Sequence, residues 1–103
     1  MLVTTCENIP GSNYQVLGLV RGNIVTSKNI GRDMMAGFKS MVGGEIKTFT
    51  DLTNEARTTA EERMVAAAQQ MGADAVVMTR FGTSVVAEGT IEMLCFGTAV
   101  KFV

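Results

Sequence analysis

The sequence predicts a small α+β fold in which a mainly antiparallel sheet is packed on one face by one long helix. Strand-like aliphatic runs lie at both ends of the chain, and two helical patterns lie between them. A chain of 103 residues has room for one core, so we expect a single domain over residues 1–103. The expected order is strand, strand, short helix, long helix, strand, strand.

Two strands are predicted near the N-terminus. The first is a short β-prone run from Leu2 to Thr5, and a turn around Pro10 follows it. The run from Tyr14 to Val25 is rich in β-branched and aliphatic residues, which predicts a longer strand. Glycine within a strand weakens or bends it, so we expect a bulge or bend at Gly18 or Gly22.

Helical periodicity replaces the strand pattern in the middle of the chain. Apolar residues recur on one face between Asn29 and Val42, which predicts a short amphipathic helix. A second helix is predicted from Thr48 to Met71, because Thr48 and Asp51 resemble a capping box and Gly72 can end the helix. Its expected buried stripe is Leu52, Ala56, Ala60, Met64, Ala67 and Met71.

The last two predicted strands, Ala75 to Val85 and Thr90 to Val103, are joined near Glu88-Gly89 as a tight hairpin. Both alternating sets of side chains on the final strand are largely apolar, whereas a strand with one wet face would alternate. One helix layer can cover one face of the sheet. The other face needs a partner, and we expect a second copy of this chain, hence a homo-oligomer.

Charge and composition argue against several classes of partner. The net charge is −1 and no basic run occurs, so nucleic acid is not an expected partner. No stretch reaches the roughly 20 apolar residues that a membrane-spanning helix needs. The N-terminus lacks the pattern of a secretory signal, and Cys6 and Cys95 read as two reduced thiols, so we expect a cytoplasmic protein.

The sequence offers few residues for catalysis. It contains no histidine, which removes the Ser-His-acid triad, the Cys-His pair and most transition-metal sites. No glycine pattern has the strand and helix context of a phosphate loop. These observations favour a protein without enzymatic activity.

Sulfur ligands are the remaining possibility for a metal. Cys95 and Met93 have the spacing that puts two side chains on one face of a strand, and Met78 could lie across the hairpin from them. Such ligands suit Cu(I) or another thiophilic ion. The competing interpretation, which we weigh more heavily, is that all three are core residues, since Cys and Met are often buried.

Four charged residues are candidates for ligand binding or for a subunit interface. Arg80 and Glu92 each interrupt an apolar strand and could form an ion pair at a subunit boundary if the hairpin pairs them. Arg32 and Asp33 open the short helix, where Asp33 suits the positive end of the helix dipole. Arg32 is expected to contact a neighbouring subunit.

Several short motifs occur in an order typical of a known family. They are Asn29-Ile30-Gly31-Arg32-Asp33, Val42-Gly43-Gly44, Glu55-Ala56-Arg57, Gly72-Ala73-Asp74-Ala75-Val76-Val77 and Gly97-Thr98-Ala99-Val100. With these motifs the chain resembles, over nearly its whole length, the YbjQ-like family, often labelled "putative heavy-metal-binding". The resemblance implies a β-α-β-β core and a ring-shaped homo-oligomer, usually a pentamer. It implies no catalytic residue.

The chain departs from the family pattern at some polar positions. Glu45 stands where an arginine commonly follows the glycine pair, and Phe49 stands where tyrosine is usual. Phe81-Gly82-Thr83-Ser84 lacks the acid of the corresponding family stretch, which weakens the case for a hard-metal site.

Two functional hypotheses follow. The first is a non-enzymatic, homo-oligomeric binding or scaffold protein with a metal-binding role implied by the resemblance. The second is a small-molecule binder or enzyme whose site forms between subunits near Arg32, Asp33, Arg80 and Glu92.

Overall fold

The structure, a computed structural model, describes residues 1–26 and 47–103, with side chains from residue 50 onward in the second range. It contains one helix and four strands in these ranges. The strands are β1 (Leu2–Val3), β2 (Tyr14–Thr26), β3 (Ala75–Ala87) and β4 (Thr90–Phe102), and the helix is α1 (Lys47–Gln70). The short helix predicted over residues 29–42 lies outside the described residues.

The four strands form one mixed sheet in the order β1-β3-β4-β2. β4 pairs antiparallel with both of its neighbours, whereas the two-residue β1 pairs parallel with the start of β3. The predicted α+β class, with a mainly antiparallel sheet and one long helix, is therefore confirmed. Each strand boundary lies within two residues of its predicted position.

Glycine occupies two positions in the sheet that need unusual backbone. The register of β2 against β4 shifts between Val16 and Gly18, so the predicted bulge lies at Gly18, where φ is 147°. Gly89, at φ 67°, makes the tight turn between β3 and β4. Both positive φ values disfavour a side chain, which explains why glycine occupies these places.

α1 packs on the sheet through a stripe of mostly small residues, and Gly72 lies just beyond its last turn. Gly72 has a φ of 77°, and Ala73 N donates to Ala68 O at 3.1 Å, which caps the last turn. The predicted stripe needs correction at its C-terminal end, because Met71 lies beyond the helix and is 42% exposed. Ala60 and Met64 of the predicted stripe are fully buried and Ala56 is nearly so. Ala67 is only partly buried, and Ala68 is the fully buried residue in its place.

Gly22 in β2 is the point of closest approach between the helix and the sheet. A methyl group in place of its hydrogen would overlap the backbone atoms Ala60 O and Met64 N. Only glycine lets the helix backbone lie this near a strand. The sheet face toward α1 carries the main core, which includes Val20, Val76, Met93, Cys95 and Ala99.

The opposite side of the sheet, called here the open face, is not covered by α1. Where β3 begins and β4 ends, this face holds a small second cluster of Ala75, Val77 and Val100. Ile9 and Tyr14 from the N-terminal segment pack against it. On the rest of this face, toward the β3–β4 turn, no element among the described residues packs on the sheet. The prediction that one long helix packs on one face of the sheet is confirmed.

Candidate functional site

The open face beyond Ala75 and Val100 consists of four cross-strand rows, which follow from the sheet register. Because paired residues point to the same side of an antiparallel sheet, each row takes one residue from β3, β4 and β2 in turn. The rows are Val77-Thr98-Leu19, Arg80-Phe96-Arg21, Gly82-Leu94-Asn23 and Ser84-Glu92-Val25. Leu19 is 68% exposed and Val25 is 53% exposed, while Leu94 and Phe96 are half-buried.

The second row places a phenylalanine between two arginines. Arg80 and Arg21 are the partners of Phe96 on either side, and both are exposed. Arg80 Nη1 donates to Thr79 O at 2.8 Å and to Thr5 O at 3.3 Å. These acceptors are neutral carbonyls, and neither arginine has a carboxylate partner in the part of the chain that the structure describes.

Glu92 lies two rows away from the arginines. Its Oε2 accepts a hydrogen bond from Asn23 Nδ2 at 2.9 Å. The hairpin therefore does not pair Arg80 with Glu92, since Arg80 is opposite Phe96 and Glu92 is opposite Ser84. The two residues do share the open face. Arg32 and Asp33, the other two candidates of this predicted site, lie outside the described residues.

The predicted sulfur ligands separate into two groups. Cys95 and Met93 both face α1, as expected from their spacing, and both are buried. Met78 lies instead in an irregularity of β3 between Val77 and Arg80, with a φ of 54° and 44% of its surface exposed. It is opposite neither Cys95 nor Met93, because their partners on β3 are Phe81 and Thr83. The expectation that Met78 completes the group is wrong.

Met64 from α1 is the sulfur neighbour that the sequence reasoning missed. Its Sδ lies 3.6 Å from Cys95 Sγ, and both side chains are fully buried. The contact could have been found by combining two patterns already noted, the buried stripe of α1 and the inward face of β4. The register between helix and sheet, set by Gly22, is what the sequence does not reveal.

Cys95 is held in its neutral form. Desolvation by burial and, to a lesser degree, the charge of Glu61 raise the pKa of this thiol from 9.0 to about 11. A thiolate is the form that binds metal, so a metal ion would have to displace the proton. Among the described residues, no three His, Cys, Asp or Glu side chains cluster in a way that could hold a metal ion.

Two other features complete the description of these surfaces. The Thr79 hydroxyl lies near Gly97, on the side of the sheet that faces α1. It is buried and has no hydrogen-bond partner among the described residues. Cys6 is exposed, so the two cysteines differ in access to solvent. In the part of the chain described, no helix is both long enough and apolar enough to cross a membrane.

Comparison with known proteins shows a close relationship over the full chain. Residues 1–103 match a family described as "Putative heavy-metal-binding". A UPF0145 protein of Vibrio parahaemolyticus is 55% identical over 104 residues, which cover 100% of this chain and 99% of the relative. A UPF0145 protein of Thermosipho africanus is 53% identical over 102 residues, which cover 98% of this chain and 94% of the relative.

A solved structure shares the fold. It is a protein of unknown function of the DUF74 family from Pediococcus pentosaceus, with a TM-score of 0.69 and 15% identity, and the match covers 100% of this chain and 98% of that one. At this identity the likeness concerns the fold alone. The family match and the full-length relatives together show that the chain belongs to the YbjQ-like family, to which UPF0145 proteins belong.

Proposed function

We propose that the protein is a non-enzymatic, homo-oligomeric scaffold in which the open face of each copy is covered by another copy. The observation that carries this proposal is the exposure of large aliphatic side chains on a sheet face that the helix does not cover. Leu19 and Val25 are more than half exposed there, next to the half-buried Leu94 and Phe96. Burial of one such side chain is worth about 1.5–3 kcal/mol.

The unpaired edges of the sheet favour an assembly of more than two copies of the chain. The outer edge of β2 and the β3 edge beyond Arg80 have no strand partner among the described residues. Unpaired edges on opposite sides of a sheet allow a head-to-tail contact, which closes into a ring when the rotation permits. A ring of five copies, as the family resemblance implies, is the form that we propose.

Sedimentation velocity on matched variants tests this role. Leu19→Asp places a charge on the open face, whereas Ala66→Asp places the same charge on the exposed side of α1. We expect Leu19→Asp to shift the protein toward smaller species while Ala66→Asp sediments like the unmodified chain. Equal behaviour of the two variants, with both folded by circular dichroism, would refute a contact through this face.

Soft-metal binding is a second candidate, favoured by the 3.6 Å contact between Cys95 Sγ and Met64 Sδ. Met93 lies in the same core cluster and could add a third sulfur. Thiolate and thioether ligands suit Cu(I), which fits the description of the family. The raised pKa of Cys95 opposes binding, so we expect uptake to be slow and to release a proton.

Anaerobic Cu(I) competition against a chromogenic chelator separates this candidate from adventitious binding. Cys95→Ser should lose the bound ion, while Cys6→Ser, which changes the exposed thiol, should retain it. If both variants and the unmodified protein release Cu(I) equally to the chelator, the core sulfurs do not form a metal site.

A small-molecule site between subunits stays an alternative prediction. Its described residues, Arg80 and Glu92, both lie on the open face and would meet a neighbouring copy there. A metabolite that raises the melting temperature of the unmodified protein but not of Arg80→Ala would favour this alternative.

A further inference from the structure

We propose that Cys95 from β4 and Met64 from α1 form a site for one soft monovalent cation, such as Cu(I), which joins the helix to the sheet, and that this site rejects divalent ions. The site rests on the soft-metal candidate of the proposed function. The charge of the ion and its bridging position between two elements go beyond that candidate.

The two sulfur atoms are enclosed by residues that the structure describes. Cys95 Sγ and Met64 Sδ are 3.6 Å apart, and neither side chain has exposed surface. Met93, two residues before Cys95 on β4, belongs to the same core cluster and offers a further thioether. The site therefore needs no ligand from residues 27–46, which contain neither cysteine nor histidine.

Only one ligand of this site carries charge when it binds a metal ion. Cys95 binds as a thiolate, whereas the thioethers of Met64 and Met93 stay neutral. The chain has no histidine, and its other cysteine, Cys6, is exposed. A single negative charge within the core therefore meets the ion.

That charge selects a monovalent ion. A thiolate and a monovalent cation together are neutral, whereas a divalent cation would leave a net positive charge buried away from water, which is costly. Glu61 is the acidic side chain whose charge acts on Cys95, but it is only half-buried, so that water screens its charge. Thiolate and thioether ligands also belong to the soft class that Cu(I) prefers.

The spacing of the two sulfur atoms allows one ion to bind with little movement. A zinc–thiolate bond is about 2.3 Å long, and two sulfurs that share an ion through bonds of that length lie at most about 4.6 Å apart. The 3.6 Å pair would have to separate by no more than about 1 Å. Because one sulfur belongs to α1 and the other to β4, the ion would hold the helix on the sheet.

An ion held by both elements should stabilise the folded chain. Met64 and Cys95 are 31 residues apart in the sequence, so the unfolded chain does not hold them together. A ligand that binds the folded state alone raises the melting temperature. Thermal unfolding therefore reports the bridge without any assay of activity.

Thermal unfolding of the untagged full chain in chloride-free buffer, with Ag(I) as a redox-inert substitute for Cu(I) or with Cd(II), tests the charge of the ion. All proteins carry Cys6→Ser, which removes the exposed thiol. A small excess of Ag(I) should raise the melting temperature by at least ~4 °C, and the same amount of Cd(II) should raise it by less than ~1 °C.

Matched methionine variants test the bridge. Met64→Leu removes the sulfur but keeps an apolar side chain of similar volume, so it should fold and lose most of the Ag(I) shift. Met71→Leu removes a partly exposed sulfur beyond the end of α1 and should keep the shift. Cys95→Ala removes the thiolate from the other side of the bridge and should behave like Met64→Leu.

The outcomes are distinguishable. An Ag(I) shift that Met64→Leu and Cys95→Ala lose and Met71→Leu keeps supports the bridge. Equal shifts with Ag(I) and Cd(II) would overturn the selection by charge while the soft-metal candidate stands. A full Ag(I) shift in Met64→Leu would show that the ion does not join helix and sheet. If neither ion changes the melting temperature, this site and the soft-metal candidate both fall, whereas the scaffold proposal stands.

Discussion

The closest contact between helix and sheet offers a sharp test of the fold, through Gly22→Ala. The added methyl group would overlap Ala60 O and Met64 N, which are backbone atoms and cannot rotate away. Carbon atoms in contact normally lie about 3.5–4.0 Å apart, so the helix would have to move outward by roughly 1 Å. Because the fully buried side chains of the stripe move with it, the whole contact between α1 and the sheet is loosened.

The size of the effect follows from three terms. Overpacking of a well-packed site costs about 1–3 kcal/mol, and the rigid neighbours place Gly22→Ala near the upper end. Outward movement of α1 leaves a gap of about 0.5–1 Å between helix and sheet, which removes about a quarter to a half of the dispersion energy of each contact. This loss lowers the free energy of unfolding further. Alanine in place of glycine within a strand raises the free energy of unfolding by about 0.5–1 kcal/mol, because the unfolded chain has less conformational freedom. We expect the free energy of unfolding to fall by about 2–3 kcal/mol.

Gly82→Ala is the matched control within one chain, because no atom of its described residues lies within 4 Å of a methyl group at that position of β3. Since Gly82 lies on the open face, both variants are compared at a protein concentration at which the chain is monomeric. It should leave the free energy of unfolding unchanged or raise it by up to about 1 kcal/mol. Urea unfolding followed by circular dichroism, at one fixed protein concentration, measures both variants. Equal free energies for the two would show that α1 does not lie on β2 as described.

Three further predictions concern buried groups. Native protein should present one thiol that alkylates fast, Cys6, and one, Cys95, that alkylates only as the protein unfolds; two equally fast thiols would contradict the burial of Cys95. Since the pKa of Cys95 is raised from 9.0 to about 11, its contribution to stability is complete below pH 9 and is lost as the pH approaches 11. The free energy of unfolding should therefore drop by about 2 kcal/mol over that interval, and Cys95→Ala should lack this drop. Thr79→Val removes a buried hydroxyl without a partner among the described residues and should raise the free energy of unfolding by about 1 kcal/mol; a loss of stability would reveal a partner for that hydroxyl.

Local patterns in the sequence were enough to place the elements of the sheet. Alternation and turn residues located β2, β3 and β4, and Gly72 located the end of α1, since each signal acts within a few residues. The packing of α1 on one face of the sheet was also predictable, because the chain offers one long helix with an apolar stripe. These features depend on composition along a single element.

What the sequence could not supply was the relation between elements. Met78 was expected across from Cys95, but an irregularity between Val77 and Arg80 shifts the register by one residue and leaves it exposed. The Met64 contact with Cys95 depends on where α1 crosses the sheet. A bulge and a helix position arise from tertiary packing, which leaves no simple period in the chain.

The central claim is that the open face is buried between copies of this chain, and the mass in solution tests it most directly. Light scattering on untagged protein between roughly 1 and 200 μM should report a multiple of the 11.0 kDa protomer, with the larger species favoured at higher concentration. A folded species of 11.0 kDa at every concentration would contradict it.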